Sequence, residues 1–239
     1  MLLPDQMAGQ QFVLTILAAR SSMMDEKMGA RVRHREALMG KKLLAGVLGG
    51  LAFFFWSYVA HDVLPLGKAG IKEIPNEQAV LSSMKANMPE SGLYLLPGLA
   101  LPENATRTQQ AAAMEARMHK VETGPSGLLA YHPSFQFSFG KALGVELGTN
   151  ILQVLLAVIL LGQTSLVSFV ARWRFITLAG ILAAISTNIS YWNWYGFPGN
   201  YTLAYVCTVA MGFVFAGLVA AAIVKPGAAA SITAQAAGA

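Results

Sequence analysis

Four side chains in this sequence are of the right types to hold a metal ion: His61, Asp62, His132 and Glu146. Two imidazoles and two carboxylates make a donor set suited to a divalent cation. His61-Asp62 follows an apolar run directly, at what reads as a helix end. There the pair would also suit the magnesium of a chlorophyll-type pigment, while the plainer reading leaves both residues hydrated or hydrogen-bonded at a membrane surface. Spacing alone does not bring the four together. A second candidate is the ring-rich run Tyr191-Trp192-Asn193-Trp194-Tyr195-Gly196-Phe197-Pro198. With His61, its Trp192, Trp194 and Tyr195 could form a stacking platform for a quinone, pigment, carotenoid or lipid. The plainer alternative is an aromatic belt at the membrane–water boundary.

Glycine spacing marks a third group. Gly46 and Gly50 form a GxxxG pair, and Gly140, Gly144 and Gly148 recur every four residues. On a helix each set makes a smooth stripe that lets another backbone approach closely. A helical glycine costs roughly 1 kcal/mol relative to alanine, so three in register imply a neighbour. Packing within the chain is the first choice, ahead of another subunit or a flat cofactor.

Other chemistry is missing from the sequence. It has no phosphate-cradling P-loop, no dinucleotide-binding glycine turn and no HExxH zinc motif, and no GxSxG nucleophile elbow. The single cysteine, Cys207, excludes an intramolecular disulfide and a CxxCH haem attachment. Asn104, Asn188 and Asn200 open glycosylation sequons, a pattern common by chance.

The elements that must position these residues are membrane spans. Of the 239 residues, 55% are hydrophobic and only 12% charged, about half the charge of an ordinary soluble domain. Apolar runs cover Leu43–Ala60, Asn150–Ala171, Phe175–Ile189 and Leu203–Val224, and such runs can cross a hydrocarbon core about 30 Å thick. The predicted fold is an all-α membrane protein with four transmembrane helices. Between the first and second, residues 61–148 form a small extracytoplasmic cap. Helices are expected over Pro75–Met88 and Thr106–Val121, and short strands over Gly92–Gly98 and Gly127–His132 pair as a hairpin. Residues 1–42 read as a basic amphipathic segment on the cytoplasmic surface. Alternatively, Met39-Gly40-Lys41-Lys42 resembles a natural start, which would make residues 1–38 an extension. The low-complexity tail, residues 225–239, should be disordered by itself.

The net charge of +5 sets the expected orientation. Seven Lys/Arg oppose four acids before the first span, whereas seven oppose eight between His61 and Gly148. Arg172, Arg174 and Lys225 flank the other spans. Short basic flanks stay in the cytoplasm, so both termini and an Arg172-Trp173-Arg174 hairpin should face inward. The basic balance is thus a topology signal and does not imply nucleic acid. No acidic or basic residue is expected at the middle of any span. Gln153, Gln163, Ser186, Thr187 and Asn188 are the polar groups at membrane depth.

The combination Trp56…His61-Asp62-Val63-Leu64-Pro65-Leu66-Gly67, Gly92-Leu93-Tyr94…Pro97-Gly98, Gly124-Pro125, Tyr131-His132-Pro133 and Trp194-Tyr195-Gly196-Phe197-Pro198 resembles uncharacterised four-span bacterial inner-membrane proteins. The resemblance covers residues 39–224 and implies the same four-span fold, without an activity. The expectation is a non-catalytic accessory subunit of a larger bacterial membrane complex, of respiratory or photosynthetic type. It would contact the bilayer, other integral subunits, and a chlorophyll-type pigment, carotenoid, quinone or lipid. A small oligomeric transporter or channel is the alternative. A metal-dependent enzyme at the outer face comes third.

Overall fold

The computed structural model describes residues 4–225, with side chains for 23, 24 and 26–225; the predicted disorder of residues 226–239 and the amphipathic character of residues 1–22 lie outside that description. Helix α1 runs over Pro4–Tyr58. It passes into a π turn at Val59–Val63 and a 3-10 turn at Pro65–Lys68. Helix α2 (Glu77–Asn87), strand β1 (Gly92–Leu96), helix α3 (Arg107–Thr123) and strand β2 (Gly127–Tyr131) follow. Helices α4 (Phe139–Leu161), α5 (Phe169–Tyr195) and α6 (Gly199–Ile223) complete the chain. Four helical stretches, Glu26–Val63 and the three last helices, are long and apolar enough to cross a membrane. The chain is a multi-pass membrane protein.

The spans run alternately up and down. Helix α1 packs against both α4 and α6, and α5 packs against α6, while α4 and α5 make only a minor contact with each other. The helices therefore form a curved row α4–α1–α6–α5 whose ends do not fully close. Glycines set the close approaches within it. A Cβ on Gly46 would lie 2.9 Å from Leu155 Cβ, and one on Gly49 would lie 2.8 Å from Val154 Cγ1. A Cβ on Gly50 would collide with the Ile151 backbone itself. The GxxxG pair is thus the seat of α4 on α1. On the other side, Gly212 leaves room for the Phe53 ring and Gly180 for Phe213. Those two rings meet edge to face with centroids 5.2 Å apart. Val154, Val158 and Ile176 are fully buried beside Ala216 and Ala220, and they fill the half of the bundle nearest Lys42, Arg172 and Lys225.

Several expected boundaries move. No break separates the basic N-terminal segment from the first span: α1 is continuous from Pro4 to Tyr58, because Gly29 and Gly40 stand singly and no proline interrupts it. The second span ends at Leu161, ten residues before Ala171. Thr164 Oγ1 donates to the Leu161 carbonyl at 2.8 Å, and Ser168 Oγ accepts from the Ala171 amide at 3.1 Å. One hydroxyl closes a helix and the other opens the next. Hydropathy runs through this turn because Leu166 and Val167 are apolar. Gln163 accordingly lies in the turn and not within a span, and Arg172-Trp173-Arg174 belongs to the first turns of α5 rather than to a connecting hairpin. At its other end α5 absorbs Tyr191–Tyr195 and stops at Gly196, whose φ of 69° is left-handed. The ring-rich run is mostly helix.

The segment between the first and second spans holds the expected helices and hairpin. Thr106 and Gln109 form a reciprocal capping box at the start of α3. The strands pair antiparallel from Gly92 opposite Tyr131 to Leu96 opposite Gly127, and Arg117 Nε donates to the Pro97 carbonyl at 3.1 Å. Helix α4 begins at Phe139, so the stripe Gly140–Gly148 lies on a span and not in this segment. Among the described residues, a Cβ on any of Gly140, Gly144 or Gly148 would meet nothing within 4 Å. The expected helix neighbour within the chain is absent among the described residues, because α4 turns its lower, GxxxG-facing surface to α1 instead.

Candidate functional site

Where α4 and α5 fail to close, a cavity of about 710 Å³ opens among all four spans. Each helix contributes one stripe at helical spacing. Helix α1 and its π turn present Phe53, Ser57 and His61, at steps of four. Helix α4 presents Glu146, Thr149, Asn150 and Gln153, the i, i+3, i+4, i+7 pattern. Helix α5 gives Ala184, Thr187, Asn188, Tyr191 and Tyr195, and α6 gives Tyr201, Tyr205 and Thr208. Leu93 and Leu128, which sit diagonally across the hairpin, also line it.

His61 is held in one orientation. Its Nδ1 lies 2.9 Å from the Ser57 carbonyl oxygen. A carbonyl can only accept, so Nδ1 carries the proton, and in the neutral ring Nε2 is left as an acceptor. The π turn that carries it is closed by the Leu64 amide donating to the Val59 carbonyl at 2.8 Å. Gly67 folds back over the ring, where a Cβ would lie 2.7 Å from His61 Cδ2. Gly70, at φ 77°, then seats the chain against Tyr201 on α6. A smaller cavity of about 180 Å³ shares His61, Tyr201, Tyr205 and Thr208 with the large one.

Across the chamber, Glu146 accepts a hydrogen bond from Asn150 Nδ2 at 3.2 Å. Asn150 itself is 2% exposed, so its amide is fixed by burial and its carboxylate partner points to the open side. Asn188 is tied by Nδ2 to the Ala184 carbonyl at 2.8 Å, and Trp56 Nε1 reaches across from α1 to the Thr208 carbonyl at 2.9 Å. One wall is aromatic. Tyr195, Tyr191, Phe197, Tyr201 and Tyr205 follow each other with centroid separations of 6.0, 5.3, 5.5 and 6.1 Å. Phe53 forms the floor above the apolar core.

The chamber brings together some of the residues singled out in sequence and scatters others. His61, Glu146 and Tyr195 line it; Asp62 and His132 do not. Among the described residues no three His, Cys, Asp or Glu side chains are grouped to hold a metal ion, and His132 instead stacks on Phe135 with centroids 5.0 Å apart. Trp192 and Trp194 are 50% and 76% exposed and face away from the chamber. Glu146 lies inside α4, a span, and Arg172 is buried inside α5, so two spans carry ionisable groups that hydropathy placed outside them. Ser57, Thr149, Asn150, Tyr201, Tyr205 and Thr208 were not anticipated as site residues. Their signal was the polar stripe on each span, which becomes visible once the helix boundaries are known.

No known protein family, characterised protein or solved structure matches this chain.

Proposed function

We propose that this chain is a non-catalytic binding subunit of a membrane assembly, with the chamber between α4 and α5 as its ligand site. The single observation that carries the reading is a cavity of about 710 Å³ among the four spans, walled by rings on one side and by Glu146, Asn150 and Gln153 on the other. Its size falls within the usual range for small-molecule sites. Polar and ionisable groups inside a membrane bundle are costly, which makes them functional candidates by default.

The chemistry of the lining selects the ligand class. Glu146 is acidic, and no Lys or Arg is among the lining residues. Four tyrosine rings offer their electron-rich faces, which attract cations. A neutral or cationic amphiphile fits this wall, and an anion does not. A quinone head group or an amine-bearing lipid is of that kind. The orientation follows from the basic flanks: Lys41, Lys42, Arg172, Arg174 and Lys225 all sit at the end opposite His61, so the chamber and the hairpin above it face out of the cytoplasm of a bacterial inner membrane. The uncovered Gly140–Gly148 stripe is the surface on which a neighbouring subunit would pack.

Transport is a second reading, favoured by Glu146 and His61 facing one cavity. It requires the core of Val154, Val158 and Ile176, which fills the bundle below the chamber, to open.

A thermal-shift panel in mild detergent tests the binding reading, comparing alkylammonium amphiphiles with matched neutral and sulfonate compounds. Stabilisation by cationic or neutral members, weakened for the cations in Glu146→Gln, is the expected result. Glutamine keeps an acceptor for Asn150 while removing the charge. Preference for the sulfonates, or stabilisation by the cations that Glu146→Gln leaves unchanged, would reject the assigned ligand class.

A further inference from the structure

The opposite end of the bundle carries a second site of the reverse sign. A cavity of about 150 Å³ lies between the start of the first span, the α4–α5 turn and the end of α6. At about 30 Å³ per water, it has room for about five water molecules. Its lining includes three cations, Lys42, Arg172 and Lys225, and two hydroxyls, Thr164 and Ser165, with no carboxylate.

Arg172 is the core of the site. It is only 7% exposed. Its Nη1 donates to the Val167 carbonyl, and its Nη2 donates to the Ala221 carbonyl at 3.1 Å. Nε has no partner among the described residues. Lys42 reaches over the end of α4, its amine lying where a Cβ on Gly162 would stand. These contacts partly serve the helices, since α4 and α6 both end here and each helix C-terminus presents about half a negative charge. Two such ends offset about one of the three cations, and the start of α5 adds about half a positive charge. Among the described residues, about two and a half positive charges remain uncompensated at the edge of an apolar bundle. Buried charge without a counter-charge is costly, and a basic pocket between membrane helices is a suitable seat for an anionic head group.

We propose that this pocket binds a phosphate group, held by the Arg172 guanidinium and the Lys42 and Lys225 amines, with Thr164 and Ser165 as hydroxyl donors. Two sources supply that chemistry at a membrane surface: the phosphodiester of an anionic lipid, and free phosphate. The site is independent of the chamber and of any ligand bound there.

The test uses the full chain, delipidated in a neutral detergent, with thermal unfolding followed during three titrations. These add phosphatidylglycerol in mixed micelles, phosphatidylcholine in mixed micelles, and inorganic phosphate against chloride at equal ionic strength. A ligand at a hundredfold excess over its Kd should raise Tm by about 5–10 °C for a chain of this size. A shift with phosphatidylglycerol and not with phosphatidylcholine or phosphate assigns the site to an anionic lipid; a shift with phosphate over chloride assigns it to the free anion. In either case Lys42→Gln/Lys225→Gln should weaken binding about tenfold or more, since a hydrogen bond to a charged group is commonly worth that much. This double variant leaves the internal bonds of Arg172 in place, so it should fold. No shift with either ligand, or shifts that the double variant retains in full, would overturn the proposal.

Discussion

The same substitution, glycine to alanine, should have opposite effects at two positions of this chain. At Gly50 a Cβ would run into the Ile151 backbone, 2.8 Å from its nitrogen and against its Cα. No rotamer change can relieve a backbone contact, so α1 and α4 must separate. Overpacking of this kind costs about 1–3 kcal/mol, and a contact with backbone belongs at the upper end. Alanine returns about 1 kcal/mol of helix propensity, leaving Gly50→Ala destabilised by roughly 2 kcal/mol. At Gly144 none of the described residues lies within 4 Å of the added methyl. Only the propensity gain remains, so Gly144→Ala should be stabilised by about 1 kcal/mol. At about 2–4 °C per kcal/mol for a chain of this length, the two variants should differ in Tm by roughly 6–12 °C. Thermal unfolding of the purified chain in detergent, followed by tryptophan fluorescence, measures this directly. If Gly50→Ala unfolds at or above wild type, the α1–α4 seat is wrongly placed. A Gly144→Ala variant clearly below wild type would show that the stripe is already packed in the isolated chain.

Three further substitutions probe the interior. Gly212→Ala places a methyl in the Phe53 ring and should cost about 1–3 kcal/mol; combining it with Phe53→Leu should recover part of that loss, a coupling that a double-mutant cycle reads. Arg172→Met removes the donors to the Val167 and Ala221 carbonyls and should destabilise by about 3 kcal/mol. Arg172→Lys should restore only part, because an ammonium lacks the guanidinium fork; full recovery would mean that charge alone matters there. Asn150→Leu strips Glu146 of its donor and leaves an apolar side chain beside a carboxylate, with an expected cost of about 1–3 kcal/mol at neutral pH.

The four spans, the hairpin and both helices between the first and second spans were legible because each rests on local chemistry. The Thr106–Gln109 capping box and the glycine and proline flanks of the strands act within a few residues. The Gly46–Gly50 contact was legible for a similar reason, since close approach leaves a fixed spacing. The α4–α5 turn was not, because two hydroxyls at Thr164 and Ser168 outweigh the hydropathy of Leu166 and Val167. A separate error at the other end of α4 hid the site: with the helix begun at Asn150 instead of Phe139, Glu146 and Thr149 fell outside the span and the stripe down to Gln153 was cut in two. Tyr201 was hidden in the same way, because α6 begins at Gly199 and not at Leu203. The Gly140–Gly148 stripe has the same spacing logic as Gly46–Gly50 yet meets nothing within the described chain. Spacing shows that a face is smooth; it does not show what covers it.

The central claim is that the chamber between α4 and α5 holds a small amphiphile of neutral or positive charge. Native mass spectrometry of the chain released gently from its own membranes tests this most directly, alongside Thr187→Trp, which places an indole in the cavity. The account predicts a discrete, non-anionic bound mass on the wild-type chain that Thr187→Trp loses while still folding. A chain that emerges bare, or one whose bound mass survives the filled chamber, would contradict it.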